Sequence, residues 1–142
     1  MKLVVELTVR TYELDSYNHV NNAVYLNYLE YARMEYLNRI GFDFKGLTEE
    51  GYMLYVTHVD IRYKLSARLN DKLFIEVEHT KIGKLSGTFH QIIRNEEGKV
   101  CVEADVSWGC VNKEGRPTKM PEKYFVQGLT PDDLQKAKNC LA

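Results

Sequence analysis

Only one stretch of this chain repeats its apolar residues with helical spacing over any length, residues 22–40, and it stands among segments that alternate with period two. Tyr25, Leu29, Ala32, Tyr36 and Ile40 recur at three- and four-residue steps, Leu26 and Leu37 widen that stripe, and Asn27, Glu30, Arg33 and Asn38 supply polar surface. Asn21 or Asn22 suits the N-cap, because a side-chain oxygen there accepts from an early helical N–H, and Gly41 provides the stop. The predicted helix is about five turns long, and its apolar stripe needs a sheet or a partner to cover it.

The sheet is legible around it. Residues 2–12 place Leu3, Val5, Leu7 and Val9 on one face, which predicts a strand, and a polar loop follows over residues 13–20. After a short helical turn near residues 45–50, four more strands are expected. Met53, Tyr55, Val59, Ile61 and Tyr63 share one alternation, and Leu73, Ile75 and Val77 a second. Residues 85–94 form the next, and Val100, Val102, Ala104, Val106, Trp108 and Cys110 the last. Gly83-Lys84 and Glu96-Glu97-Gly98 mark turns, and Gly115-Arg116-Pro117 ends the sheet region. Thr130-Pro131-Asp132-Asp133 predicts a short C-terminal helix over about residues 131–141. The class is α+β, a curved five-strand antiparallel sheet with one long helix, in a single domain spanning residues 1–142. One helix does not cover such a sheet, so pairing of edges or faces in a homodimer is expected.

A formal charge of −1 gives no global attraction to nucleic acid or to an anionic membrane. The three cysteines, Cys101, Cys110 and Cys140, are odd in number and lack CxxC spacing, which argues for reduced thiols rather than a disulfide framework or a zinc site. No secretory signal is visible in MKLVVELTVR, and nothing approaches the roughly 18 apolar residues of a membrane span. A cytoplasmic protein without metal or redox cofactor is expected. Ten tyrosines suit broad sheet surfaces or interfaces, since each packs a ring and keeps a polar tip.

The chemistry points to Asp15-Ser16-Tyr17-Asn18-His19-Val20-Asn21-Asn22, just ahead of the helix. The first N–H groups of a helix have no intrahelical partner, and the macrodipole adds partial positive charge, so a carbonyl oxygen turning anionic is stabilised there. Asp15 suits two readings: a loop carboxylate satisfying nearby backbone N–H groups, as is common in turns, or, beside that cradle, hydrolysis of a thioester. A thiolate leaving group, with a thiol pKa of about 8.5, departs without a strong acid. What remains is activation of water or direct attack by a carboxylate. His19 suits orienting the loop, bonding substrate or assisting proton transfer, and equally a backbone bond at the loop–helix junction. Asn21 and Asn22 are capping residues first. His58, His79 and His90 have no ligand-like spacing, and no Gly-rich phosphate loop or serine nucleophile elbow is present.

The stretch VRTYELDSYNHVNNAVYLNYLEYARMEYL resembles the opening of hotdog-fold acyl thioesterases of the 4-hydroxybenzoyl-CoA thioesterase and acyl-ACP thioesterase type. The shared pattern is an acid, three residues, a His-Val-Asn-Asn run into the central helix, then Tyr: here Asp15, His19, Val20, Asn21, Asn22 and Tyr25. The likeness continues through VDIRYKLSARLNDKL to RPTKMPE, about residues 3–122. It implies a sheet wrapped round the helix, a homodimer or homotetramer with sites at the subunit interface, and acyl-CoA or acyl-ACP as substrate. It also implies Asp15 as nucleophile or general base and the backbone N–H near Asn22 as the carbonyl donor. His19 matches a histidine of the acyl-ACP branch. Asn21, Tyr25 and Lys84 fall where substrate is held, Lys84 near the CoA phosphates or as a solvated turn lysine. Tyr17 stands where acyl-ACP enzymes often carry Asn, and Ser66 where a Pro is usual. A hydratase or dehydratase on the same fold would need an Asn-Pro and spacing absent here, and a non-catalytic acyl-thioester binder would show no turnover.

Overall fold

The computed structural model describes residues 1–131, so the helix expected over about 131–141 lies outside the described residues. Its elements are β1 (Lys2–Thr8), α1 (Asn22–Arg39), α2 (Phe44–Glu49), β2 (Met53–Tyr63), β3 (Lys72–Ile82), β4 (Ser86–Arg94) and β5 (Val100–Val111). The five strands form one antiparallel sheet in the order β1-β3-β4-β5-β2. The chain thus leaves one edge through α1 and returns on the opposite edge. Buried Tyr25, Tyr28, Leu29, Ala32, Tyr36 and Leu37 of α1 share one core with Leu73, Ile75 and Val77 of β3, Phe89 and Ile93 of β4, and Val102, Ala104, Val106 and Trp108 of β5. Each large aliphatic side chain so enclosed stabilises the fold by about 1.5–3 kcal/mol.

Three local expectations are corrected. The first strand stops at Thr8, and a 3-10 turn occupies Thr11–Glu13. The Glu13 carboxylate accepts the Arg10 backbone N–H at 2.7 Å and so offers the chain an alternative to the strand ladder. In β2 the alternation does not run unbroken. The register with β5 shifts between Val56 and His58, so Leu54 and Val56 sit opposite inward Cys110 and Trp108, while Val59 and Ile61 oppose Val106 and Ala104. One extra residue turns Met53 and Tyr55 to the other face. On α1, Tyr28 is buried, Leu26 is 42% exposed, and Arg33 is half-buried. Tyr28 enters the core because its hydroxyl donates to Glu13 at 2.9 Å, which satisfies its polar tip.

The two sheet edges differ. Beside β1, Arg39 Nη1 donates to the Val4 carbonyl at 3.0 Å. The outer edge of β2 has no strand partner among the described residues, and Tyr55, Val56 and Tyr63 are exposed there.

Candidate active site

The loop before α1 is a small hairpin. Leu14 pairs with Val20, the Asp15 N–H donates to the His19 carbonyl at 2.8 Å, and Asn18 takes the left-handed conformation at φ 60°. Asparagine tolerates that conformation better than most residues with a Cβ. The Val20 N–H donates to the Ala67 carbonyl at 2.9 Å, and His19 bridges to Arg68, which fixes the hairpin to the segment after β2. Asp15 folds back on its own loop. Its Oδ1 accepts from the Tyr17 N–H at 2.8 Å and the His19 N–H at 3.1 Å. This pairing orients the carboxylate. Its Oδ2 has no hydrogen-bond partner among the described residues.

At the start of α1, Asn21 is the N-cap and its Oδ1 accepts the Ala23 N–H at 2.9 Å. The Val24 N–H returns to the Asn21 carbonyl. The Asn22 N–H, first of the helix, has no acceptor among the described residues and lies at the positive end of the dipole.

Asp15, His19, Val20, Asn22 and Tyr25 line a cavity of about 290 Å³ together with Tyr63, Lys64, Leu65 and Ser66. The Tyr63 hydroxyl donates to the Asn22 carbonyl at 3.0 Å, tying the end of β2 to the first residue of the helix. The Tyr25 hydroxyl accepts the Ala67 N–H at 3.0 Å, and burial raises its pKa, which keeps the phenol neutral. Lys64 Nζ lies 2.9 Å from Glu103 Oε2 at the rim. The His19 ring has no hydrogen-bond partner among the described residues, so both nitrogens are available to the cavity.

Four of the residues singled out from the sequence therefore come together: Asp15, His19, Asn22 and Tyr25. Asn21 spends its side chain on the cap and does not line the cavity. Lys84 is exposed in the turn joining β3 and β4. Neighbouring Ser86 pairs with Gly109, whereas cavity-lining Tyr63 pairs with Val102, seven residues or about 23 Å away along β5. Tyr63, Lys64 and Ser66 line the cavity without standing out in the sequence as site residues. Their one signal was the segment RYKLSAR inside the resembling region, and only the strand register brings it to the helix start.

A second cavity, of about 120 Å³, lies deeper between α1 and the β2–β5 end of the sheet. Met34, Leu37, Leu54, Val56, Phe89 and Trp108 make it apolar, and Glu30 and Arg33 are its charged members. Arg33 Nη1 donates to Gln91 Oε1 at 3.1 Å, while Gln91 Nε2 donates to the Leu29 carbonyl at 3.0 Å. Burial lowers the Arg33 pKa. Among the described residues no group of three or more His, Cys, Asp and Glu side chains could hold a metal ion, and no helix is long and apolar enough to cross a membrane.

A sequence model of the thioesterase-like superfamily matches residues 9–135. The chain is 35% identical over 108 residues to the long-chain acyl-CoA thioesterase FadM of Escherichia coli, covering 75% of this chain and 81% of that one. It is 30% identical over 139 residues to the chloroplastic acyl-acyl carrier protein thioesterase ATL3 of Arabidopsis thaliana, covering 91% and 70%. Its fold superposes on the crystal structure of a DHNA-CoA thioesterase from Staphylococcus aureus with a TM-score of 0.81 at 21% identity, covering 99% of this chain and 90% of that one. The fold is thus the hotdog fold, a five-strand antiparallel sheet wrapped around one helix.

Proposed function

The chain belongs to the thioesterase-like superfamily, and from that premise we propose that it is an acyl-CoA thioesterase acting through Asp15 and the Asn22 amide. Thioester hydrolysis is the class of its reaction. One observation carries the residue assignment. A carboxylate with one oxygen pinned by two amides and the other unpartnered shares a cavity with an unspent N–H at a helix start.

In the proposed step, a water beside Asp15 Oδ2 gives a proton to the carboxylate as its oxygen adds to the acyl carbon. The carbonyl electrons move onto oxygen, where the Asn22 N–H and the helix dipole hold the charge. Collapse re-forms the C=O bond and breaks the C–S bond, and the departing thiolate takes from Asp15 the proton that the water gave up. His19 stands beside this path and orients the incoming water or the thioester. Tyr25, kept neutral by burial, walls the cavity.

We take the chain as one such domain that works as a homodimer through β2. The edge has no strand partner among the described residues, and Tyr55, Val56 and Tyr63 are exposed on it. Antiparallel pairing of two β2 edges about their midpoint places the Tyr63 end, which borders the Asp15 cavity, beside the Leu54 end of the second copy, which borders the apolar cavity. The acyl chain then enters the apolar cavity across the interface. Buried Cys101 and Cys110, whose pKa values burial raises, suit a reducing compartment, and we infer the cytoplasm.

The test is released thiol from short, medium, long and aromatic acyl-CoAs and from acyl-ACP. Turnover of acyl-CoA is expected, and Asp15→Asn lowers kcat by about 10²–10⁴-fold, the range for loss of a general base. Asn keeps the oxygen that accepts from Tyr17 and His19, so the loop holds. Near-wild-type turnover in that variant removes Asp15 from the mechanism, and ligand binding without turnover of any thioester makes the protein a binder.

A further inference from the structure

Glu13 does nothing in the step above, yet it is among the most heavily bonded groups near the site. It is 5% exposed. Its Oε1 accepts the Arg10 backbone N–H at 2.7 Å and the Tyr28 hydroxyl at 2.9 Å, and its Oε2 accepts Arg10 Nε at 3.1 Å and Nη2 at 2.7 Å. Its backbone carbonyl accepts the Asn21 N–H at 2.9 Å. These partners belong to different parts of the molecule: the chain leaving β1, the second turn of α1, and the helix N-cap. Asp15 follows Glu13 by two residues, and Asn22 follows the anchored Asn21 by one.

We propose that Glu13 is a positioning residue for thioester hydrolysis, setting where the Asp15 carboxylate stands relative to the Asn22 N–H by joining β1, α1 and the N-cap through one buried carboxylate and its own carbonyl. The inference rests on the assignment of Asp15 and Asn22 made above. The loop's own bonds do not replace this anchor. They run back to Thr11, within residues 14–20, or to residues 67–68, and reach α1 only indirectly, at its first turn, through the Ala67 N–H that the Tyr25 hydroxyl accepts. Tyr28 is the link to the helix interior, and its hydroxyl meets Glu13 where both residues are buried. Burial by itself raises the Glu13 pKa, but the bonds from the Arg10 side chain and backbone and from Tyr28 outweigh it and hold the group ionised. A neutral amide cannot substitute. In either flip, Glu13→Gln turns an NH₂ toward the Arg10 guanidinium or toward the Arg10 backbone N–H, setting donor against donor.

The experiment compares wild type, Glu13→Gln, Tyr28→Phe, Asp15→Asn and each double variant with Asp15→Asn, by steady-state and single-turnover release of CoA from an acyl-CoA that the wild type hydrolyses. An ångström of misplacement at reacting groups lowers rates by about 10²-fold, so Glu13→Gln is expected to lose about that factor in kcat with KM within about twofold. Tyr28→Phe, which keeps the Arg10 pair, is expected to lose about tenfold on the same reasoning. In the Asp15→Asn background neither change lowers the rate further, because the group being positioned is already gone. A purely structural role predicts multiplied losses there. A folded Glu13→Gln enzyme with wild-type kcat, beside an inactive Asp15→Asn enzyme, overturns the proposal while leaving the role of Asp15 intact. Multiplied losses in the doubles overturn it as well. Should Glu13→Gln fail to fold, Tyr28→Phe and its double decide by the same criteria. Full activity in Asp15→Asn overturns both assignments together and is recognisable as that outcome.

Discussion

His79 gives the sharpest prediction about what holds the cavity wall. It is 1% exposed in β3, with Nδ1 2.6 Å from the Leu129 carbonyl and Nε2 3.1 Å from Trp108 Nε1. A carbonyl only accepts and an indole N–H only donates, so the ring is neutral with its proton on Nδ1. Both partners line the apolar cavity, and the ring packs on Phe89, which lines it too, at 4.6 Å between centroids. His79→Phe keeps an aromatic ring but orphans the Leu129 carbonyl and the Trp108 N–H. Each buried orphan costs about 1–3 kcal/mol, for a total of about 2–6 kcal/mol. For a chain of this size that lowers Tm by about 6–18 °C, at roughly 3 °C per kcal/mol.

The pH dependence separates this clamp from generic packing. Burial lowers the His79 pKa below its ordinary value of 6.5. Above that value folded and unfolded chains both carry a neutral ring, so stability is flat. Below it the unfolded chain binds the proton first. Stability then falls as pH drops from 6.5 toward the depressed folded value, by at most about 1.4 kcal/mol per pH unit. The assay is chemical denaturation monitored by Trp fluorescence at pH 8, 7, 6 and 5, for wild type and His79→Phe. Wild type is expected to weaken between pH 6.5 and 5, and the variant to lose this part of the slope. Glu13 does not confuse the result. Its pKa is lowered from 4.5, so its contribution is complete above that value and is lost only as pH falls further. A variant less than about 1 kcal/mol weaker than wild type, with an unchanged slope, refutes the clamp.

Two further outcomes follow from the same geometry. Val56→Lys places a charge on the exposed edge of β2, at the mouth of the apolar cavity, and is expected to give a folded monomer by light scattering with acyl-CoA turnover lost; an active monomer contradicts the interface site. Asn21→Ala removes the acceptor of the Ala23 N–H and is expected to lower stability by about 1 kcal/mol in denaturant with kcat reduced less than tenfold, since the donor assigned to catalysis is the Asn22 backbone.

What the sequence reveals and what it hides divide along a physical line. Period-two alternation reports which face of a strand is buried, so Leu73, Ile75 and Val77, and Val102 through Cys110, are placed correctly without any knowledge of neighbours. The same rule misassigns Met53 and Tyr55, because the extra residue near Thr57 changes no composition and shows itself only as a slip against β5. The helix start behaves likewise. Asp15, His19, Asn22 and Tyr25 lie within eleven residues, and a cap with an acid nearby is local chemistry, so their meeting in one cavity is readable. Tyr63, Lys64 and Ser66 reach that cavity through sheet order and register, which one chain's pattern does not encode residue by residue. Glu13 and Tyr28 show the remaining difficulty. Each looks like ordinary surface until the other is present, since a glutamate in a loop and a tyrosine off the main stripe become buried only as a pair, with Arg10 supplying the charge. The residues hardest to read are therefore those whose burial depends on a partner distant in sequence, as Glu13, two residues before Asp15, and Tyr28 meet across 15 positions of chain.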